Sequence, residues 1–151
     1  MDEAVIKYYR RLLRTGFENA GSFNNPSIFL DSYEEGTSMF CGLAAEGNMN
    51  IFINIKNDTI DTIKYLCICD PTGNVAVEIL CNLVKGKTLE KATDITEELF
   101  FQATEGKSED LQKKATGLLE LLRKGISRYQ TNISKNSLQE DNPNQKKAGV
   151  I

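Results

Sequence analysis

The sequence predicts an α+β domain: a small three-stranded antiparallel sheet with helices packed on one face. Three observations predict it. Residues 2–15 follow a helical period. The period then changes to strict alternation at 49–55, followed by a run rich in Ile, Tyr and Thr at 59–69. Helical periodicity returns from residue 70 and is interrupted by capping residues.

The elements follow in order. In the first helix Val5, Tyr9, Leu12 and Leu13 share a face, with Asp2 and Glu3 early and Arg10, Arg11 and Arg14 late, as the helix dipole prefers. Gly16 is placed to stop it. Residues 17–35 are rich in Asn, Gly, Ser and Pro and read as a loop with one short apolar piece at Ile28–Leu30. Thr37–Leu43 reads as one strand. Met49, Ile51, Ile53 and Ile55 make the buried side of a second, and 59–69 its partner across the turn Lys56-Asn57-Asp58. Asp70 is an N-cap and Pro71 an N1 residue, opening a helix whose buried face is Ala76, Ile79, Leu80 and Leu83 and whose end lies at Gly86. Cys81 falls off that face and reads as structural or partly exposed. Asp94 with Glu97 has capping-box spacing before a short helix. Ser108, followed by Glu109 and Asp110, opens a last helix with the stripe Leu111, Ala115, Leu118, Leu119, Leu122 and Ile126. Residues 1–129 are therefore expected to form one domain, and 130–151, poor in apolar residues, a disordered polar tail.

Composition narrows the function classes. A net charge of −3 argues against a surface built to bind nucleic-acid phosphates. No apolar run approaches membrane-spanning length, and the N-terminus lacks a signal peptide's apolar region, so a cytoplasmic protein is expected. There is no histidine, which excludes a Ser-His or Cys-His nucleophile within the chain. The cysteines are Cys41, Cys67, Cys69 and Cys81. A bridge between Cys67 and Cys69 is not expected, because alternate residues of an extended strand lie about 6.6 Å apart, near the upper limit for a disulfide.

The stretch Leu66–Asn74, LCICDPTGN, concentrates the chemistry. Two cysteines and a carboxylate meet where a strand becomes a helix. Soft ligands beside a helix N-terminus can hold metal or activate a thiolate; they can equally be buried thiols beside an ordinary cap.

Several segments together resemble the IscU/NifU N-terminal family of iron–sulfur cluster assembly scaffolds. Asn19-Ala20-Gly21-Ser22-Phe23 resembles that family's Asn-x-Gly-Ser-Phe segment. Gly36-Thr37-Ser38-Met39 resembles its first strand, and the alternating stretch 49–55 its second. Val84-Lys85-Gly86-Lys87-Thr88-Leu89 resembles its Val-Lys-Gly-Lys-Ser/Thr-Leu segment, with Thr93-Asp94-Ile95 and Glu98-Leu99 following at the expected distance. The similarity spans about residues 5 to 126.

The resemblance implies a scaffold that is not an enzyme: it holds iron and sulfide and works with a cysteine desulfurase. The family's ligands are three cysteines and an aspartate, and here the set departs. The first cysteine position falls on Ala45 and the aspartate on Gly47. The second cysteine position falls on Asp70, one residue from Cys69, and the third on Ser108, preceded by Lys107. The segment read by the family's Hsp70-type chaperone falls on Phe101-Gln102-Ala103-Thr104-Glu105 and does not match. The candidate metal site is therefore a non-standard set, Cys41, Cys67, Cys69 and Asp70, for an iron–sulfur cluster, iron or zinc. The alternative is a degenerate scaffold that binds partner proteins without a cluster, with Asp70 and Ser108 serving as helix caps.

Overall fold

The computed structural model of the chain describes residues 2–32 and 48–140. Helix α1 spans Glu3–Thr15 and is capped by Asp2, whose Oδ1 accepts the Ala4 N–H at 2.7 Å. Gly16 ends it at φ +96, in the region glycine enters without strain.

Three strands follow: β1 (Ile28–Asp31), β2 (Asn48–Lys56) and β3 (Thr59–Ile68). They form one antiparallel sheet in the order β1-β2-β3. Asn57 and Asp58 both take positive φ, +52 and +61, so the β2–β3 hairpin closes on the left-handed pair that matches strand twist. The alternation sorts the faces. Ile28, Leu30, Met49, Ile51, Ile53, Ile60, Ile63 and Tyr65 are buried on the inner face, while Phe29, Leu66 and Ile68 stay exposed on the outer.

The first described strand, Ile28–Asp31, falls where the sequence reads as a loop with one short apolar piece. Thr37–Leu43 lies outside the described residues. Four residues are too few to display period-two patterning. What makes them a strand is pairing, from Ile28↔Ile53 to Asp31↔Asn50, and burial of Ile28 and Leu30 beneath a helix.

The helices are α2 (Pro71–Val84), α3 (Leu89–Thr93), α4 (Glu97–Thr104) and α5 (Glu109–Glu140). They cover the inner face of the sheet. Helix α5 crosses β1 so closely that a Cβ on Gly125 would meet Leu30 Cδ2 at 2.5 Å. Two expectations are corrected here. Asp94 closes α3 rather than opening a helix, and Thr96 occupies the N-cap position of α4. Cys81 is fully buried, because α2 packs against neighbours all round and has no solvent side at that position.

The last helix runs into the stretch expected to form a polar tail. Helix α5 continues through residue 130 to Glu140. Up to residue 135, Ile126 is its last buried apolar side chain, and residues 130–135 are exposed. The extension adds one backbone hydrogen bond per residue to a helix already nucleated by packing, which low hydrophobicity alone does not forbid.

The segments 19–21 and 85–89 both bind the outer edge of β3. Gly21 N–H donates to the Tyr65 carbonyl at 2.8 Å, and Tyr65 N–H to the Asn19 carbonyl at 3.1 Å. At the hairpin end, Gly86 N–H donates to the Ile60 carbonyl at 2.8 Å, and Ile60 N–H to the Lys87 carbonyl at 2.9 Å. An edge that would otherwise expose unpaired backbone is thereby covered.

Candidate functional site

The end of β3 and the start of α2 bring Cys67, Cys69 and Asp70 together. Met49 pairs with Cys67 and Asn48 with Ile68 in the ladder, so the ends of β2 and β3 lie side by side. Cys69 Sγ lies 3.9 Å from the Asn48 carbonyl oxygen. Cys67 and Cys69 are joined by a disulfide, with Cα atoms 5.4 Å apart. This overturns the geometric argument against the bridge. That argument assumed a fully extended strand; β3 ends at Ile68, and its end is contracted enough to bring the two Cα atoms into the ordinary range.

Asp70 caps α2. Its Oδ1 accepts the Gly73 N–H at 2.8 Å, and Pro71 follows at N1. Its second oxygen faces Lys114 of α5, with Nζ 3.4 Å from Oδ2. Lys114 also lies 3.9 Å from Asp110, one turn earlier on its own helix, and its side chain is 7% exposed. A nearly buried ammonium thus sits beside the carboxylate that a metal would need. Ser108 caps α5, its Oγ accepting the Leu111 N–H at 3.3 Å.

Cys41, the remaining candidate ligand, lies outside the described residues. Among the described residues, no group of three or more His, Cys, Asp or Glu side chains is placed to hold a metal ion. Two sulfurs in a disulfide are not thiolate ligands, and Asp70 is engaged as a cap and an ion-pair partner. Among the described residues of this junction, Cys67 and Cys69 offer soft donors once reduced.

Behind the junction is a buried polar network that the sequence did not disclose. Glu78, on the next turns of α2, is 1% exposed. Its Oε1 accepts from Asn19 Nδ2 at 2.8 Å and from Asn19 N–H at 3.3 Å, and its Oε2 from the Tyr65 hydroxyl at 2.7 Å. The same hydroxyl lies 3.0 Å from Asn74 Oδ1. Lys85 Nζ donates to Asn19 Oδ1 at 3.0 Å. Burial, and then the hydrogen bond and charge of Glu78, push the Tyr65 phenol far above its ordinary value. Burial, then Glu78, does the same to the Cys81 thiol. The network is a brace: it ties the 19–21 segment, β3 and α2 into one unit behind the junction. One sequence signal pointed to it, a lone carboxylate inside the apolar run Val75–Cys81. Lys114 had no such signal, since Lys113 beside it has the same chemistry.

Basic residues gather on the outer side of α1. A groove there is lined by Glu3, Ile6, Lys7, Arg10, Leu13 and Arg14, with Leu13 60% exposed. The Arg11 guanidinium stacks over the Tyr8 ring at 4.4 Å.

No protein-family model matches the chain, and no curated protein matches it in sequence. Solved structures do match in fold. The N-terminal part of a nitrogen-fixing NifU-like protein from Brucella abortus superposes with a TM-score of 0.56 at 10% identity, over 86% of this chain and 94% of that one. A protein from Fervidobacterium islandicum AW-1, assigned as an iron–sulfur cluster assembly scaffold for the SUF system, superposes with a TM-score of 0.58 at 12% identity, over 83% and 96%. The likeness expected from the short sequence segments is thus present in the three-dimensional fold, and at these identities it is a likeness of fold.

Proposed function

We propose that this chain is a scaffold-type carrier in iron–sulfur cluster assembly, holding iron and sulfide as cargo rather than acting as an enzyme. The observation that supports it most is a coincidence of place. A fold shared with NifU-like and SUF-type proteins over more than four fifths of the chain carries its Cys-x-Cys pair at a strand-end and helix-start junction. In the reduced state Cys67 and Cys69 supply two soft donors. Cys41, in the segment linking β1 to β2, is the candidate third, with Asp70 available as a fourth only when it parts from Lys114. Iron, alone or with sulfide, is the preferred cargo; zinc suits the same donors. A cysteine desulfurase is the proposed partner, and the cytoplasm the proposed location. No helix among the described residues is long and apolar enough to cross a membrane.

A second reading is favoured by a specific contact. The Lys114 ammonium beside Asp70 supplies the positive charge that a bound cation would otherwise supply. On that reading the chain keeps the scaffold fold to bind partner proteins and carries no cargo. Anaerobic purification from iron-supplemented cells, followed by metal and acid-labile sulfide analysis, separates the two. Iron and sulfide in the protein support the carrier. A metal-free protein that still captures a desulfurase supports the partner-binding form.

A further inference from the structure

We infer that Cys67 and Cys69 form a reversible two-electron thiol–disulfide couple that exchanges with low-molecular-weight thiols. Four observations support this. The sulfurs are already bonded, across a Cα separation of 5.4 Å and a sequence separation of 2. So short a loop restrains the unfolded chain little, and the folded protein gains correspondingly little from keeping it closed. The bond is also within reach of solvent. Cys67 and Cys69 are each half-buried, at the rim of the core rather than inside it. A disulfide that solvent can partly reach is open to exchange in a way a fully buried one is not.

The third observation is that opening the bond leaves the local fold held. The ladder partners of Cys67 and Ile68 are made through backbone, and Asp70 caps α2 through its own carboxylate. The fourth concerns charge. A thiolate released at Cys69 would be opposed by the adjacent Asp70 carboxylate, but Lys114 lies 3.4 Å from that carboxylate and offsets it. Cys81 does not compete, being wholly buried in α2.

The exchange balances as follows. The thiolate of one small thiol attacks one sulfur of the pair. The S–S bond breaks, a mixed disulfide forms, and the other cysteine leaves as a thiolate that takes up a proton. A second small thiol attacks the mixed disulfide and releases the remaining cysteine. Two electrons and two protons pass to Cys67 and Cys69, and the two small thiols end as their own disulfide. On the carrier reading proposed above, on which only this consequence rests, the reduced pair can accept cargo and the oxidised pair cannot.

The test uses the full metal-free chain in buffers of reduced and oxidised glutathione. Samples are acid-quenched, alkylated with a mass tag and mapped by peptide mass spectrometry. The expected result is joint tagging of Cys67 and Cys69, half-complete at one glutathione ratio reached from either direction, with unchanged circular dichroism. Cys81→Ala should leave that ratio unmoved. Cys67→Ser should make Cys69 taggable, or glutathionylated, with no cooperative second thiol. The inference is overturned if both cysteines stay fully tagged in oxidised glutathione, or if they resist reduced glutathione until the protein is denatured. Metal uptake is read separately, on reduced samples incubated anaerobically with ferrous iron. A reversible couple without metal supports this inference against the carrier reading; metal without a reversible couple does the reverse.

Discussion

The Lys114 ammonium of α5 lies 3.4 Å from Asp70 Oδ2 at the N-terminus of α2. The two residues are distant in sequence, and their contact closes the junction where β3, α2 and α5 converge. Asp70 therefore does two tasks at once. One oxygen satisfies the first turn of α2, and the other balances a nearly buried cation.

Separating those tasks gives a ranked prediction. Asp70→Ala removes the cap and the shorter of the two ion pairs of Lys114, leaving Asp110 at 3.9 Å, and should lower stability by about 1–2 kcal/mol. Asp70→Asn keeps a capping oxygen and loses only the charge, so its loss should be about half as large. Lys114→Met replaces the cation with an apolar chain of similar length and should be close to neutral. Urea unfolding of the three variants checks the order. Equal losses for Asp70→Ala and Asp70→Asn would show that the cap contributes nothing.

The brace behind the junction predicts a larger effect. Glu78→Leu takes away the acceptor of the buried Asn19 backbone N–H and one of the two acceptors of both Asn19 Nδ2 and the Tyr65 hydroxyl, which keep Asn82 Oδ1 and Asn74 Oδ1. The expected loss is about 3 kcal/mol, with Glu78→Gln losing less because it keeps an acceptor oxygen. Amide exchange should rise at Gly21 and Tyr65, whose backbone pairing holds the 19–21 segment to β3.

Alkaline pH should unfold the chain early. The folded state raises Cys81 and Tyr65 above their ordinary values of 9.0 and 10.0. A group raised by folding contributes stability that is fully present below its unfolded value. Above that value the unfolded chain releases the proton and the folded chain does not. Stability should thus be flat up to about pH 9 and fall beyond it. Cys81→Ala should remove the part that begins near 9 and leave the part that begins near 10. Thermal midpoints between pH 7 and 11 test this.

Much of the fold was legible from local chemistry. The Asp70 cap, the Gly16 stop, the alternation of β2 and the apolar stripe of α5 are each decided by residues near one another in sequence, and each formed as read. What was not legible depends on distant partners. Ile28–Asp31 is a strand because β2 and α5 lie beside it. Asp94 closes one helix instead of opening the next, its N–H donating to the Lys91 carbonyl at 3.2 Å. Cys81 is buried because α2 is surrounded. At the candidate site, Cys67, Cys69 and Asp70 are neighbours in sequence, so their juxtaposition was legible. Lys114 was not, since only the tertiary approach of α5 distinguishes it from Lys113.

The close crossing of α5 over β1 predicts a steric effect. Gly125→Ala places a Cβ at 2.5 Å from Leu30 Cδ2 and 3.2 Å from Ile28 Cγ2. The variant should lose about 1–3 kcal/mol despite alanine's better helix propensity. Leu30→Val should recover part of that loss in the double variant. A gain in stability from Gly125→Ala alone would mean that the helix can shift outward freely.

The most direct measurement is anaerobic reconstitution of the fully reduced chain with iron and sulfide, comparing wild type with Cys69→Ser and Cys67→Ser. The account predicts iron, acid-labile sulfide and visible charge-transfer absorption in the wild type, falling by at least about tenfold in each variant while the fold is retained, as loss of one primary ligand should do. Wild-type protein that remains free of iron and sulfide, or variants that load as fully as wild type, would contradict it.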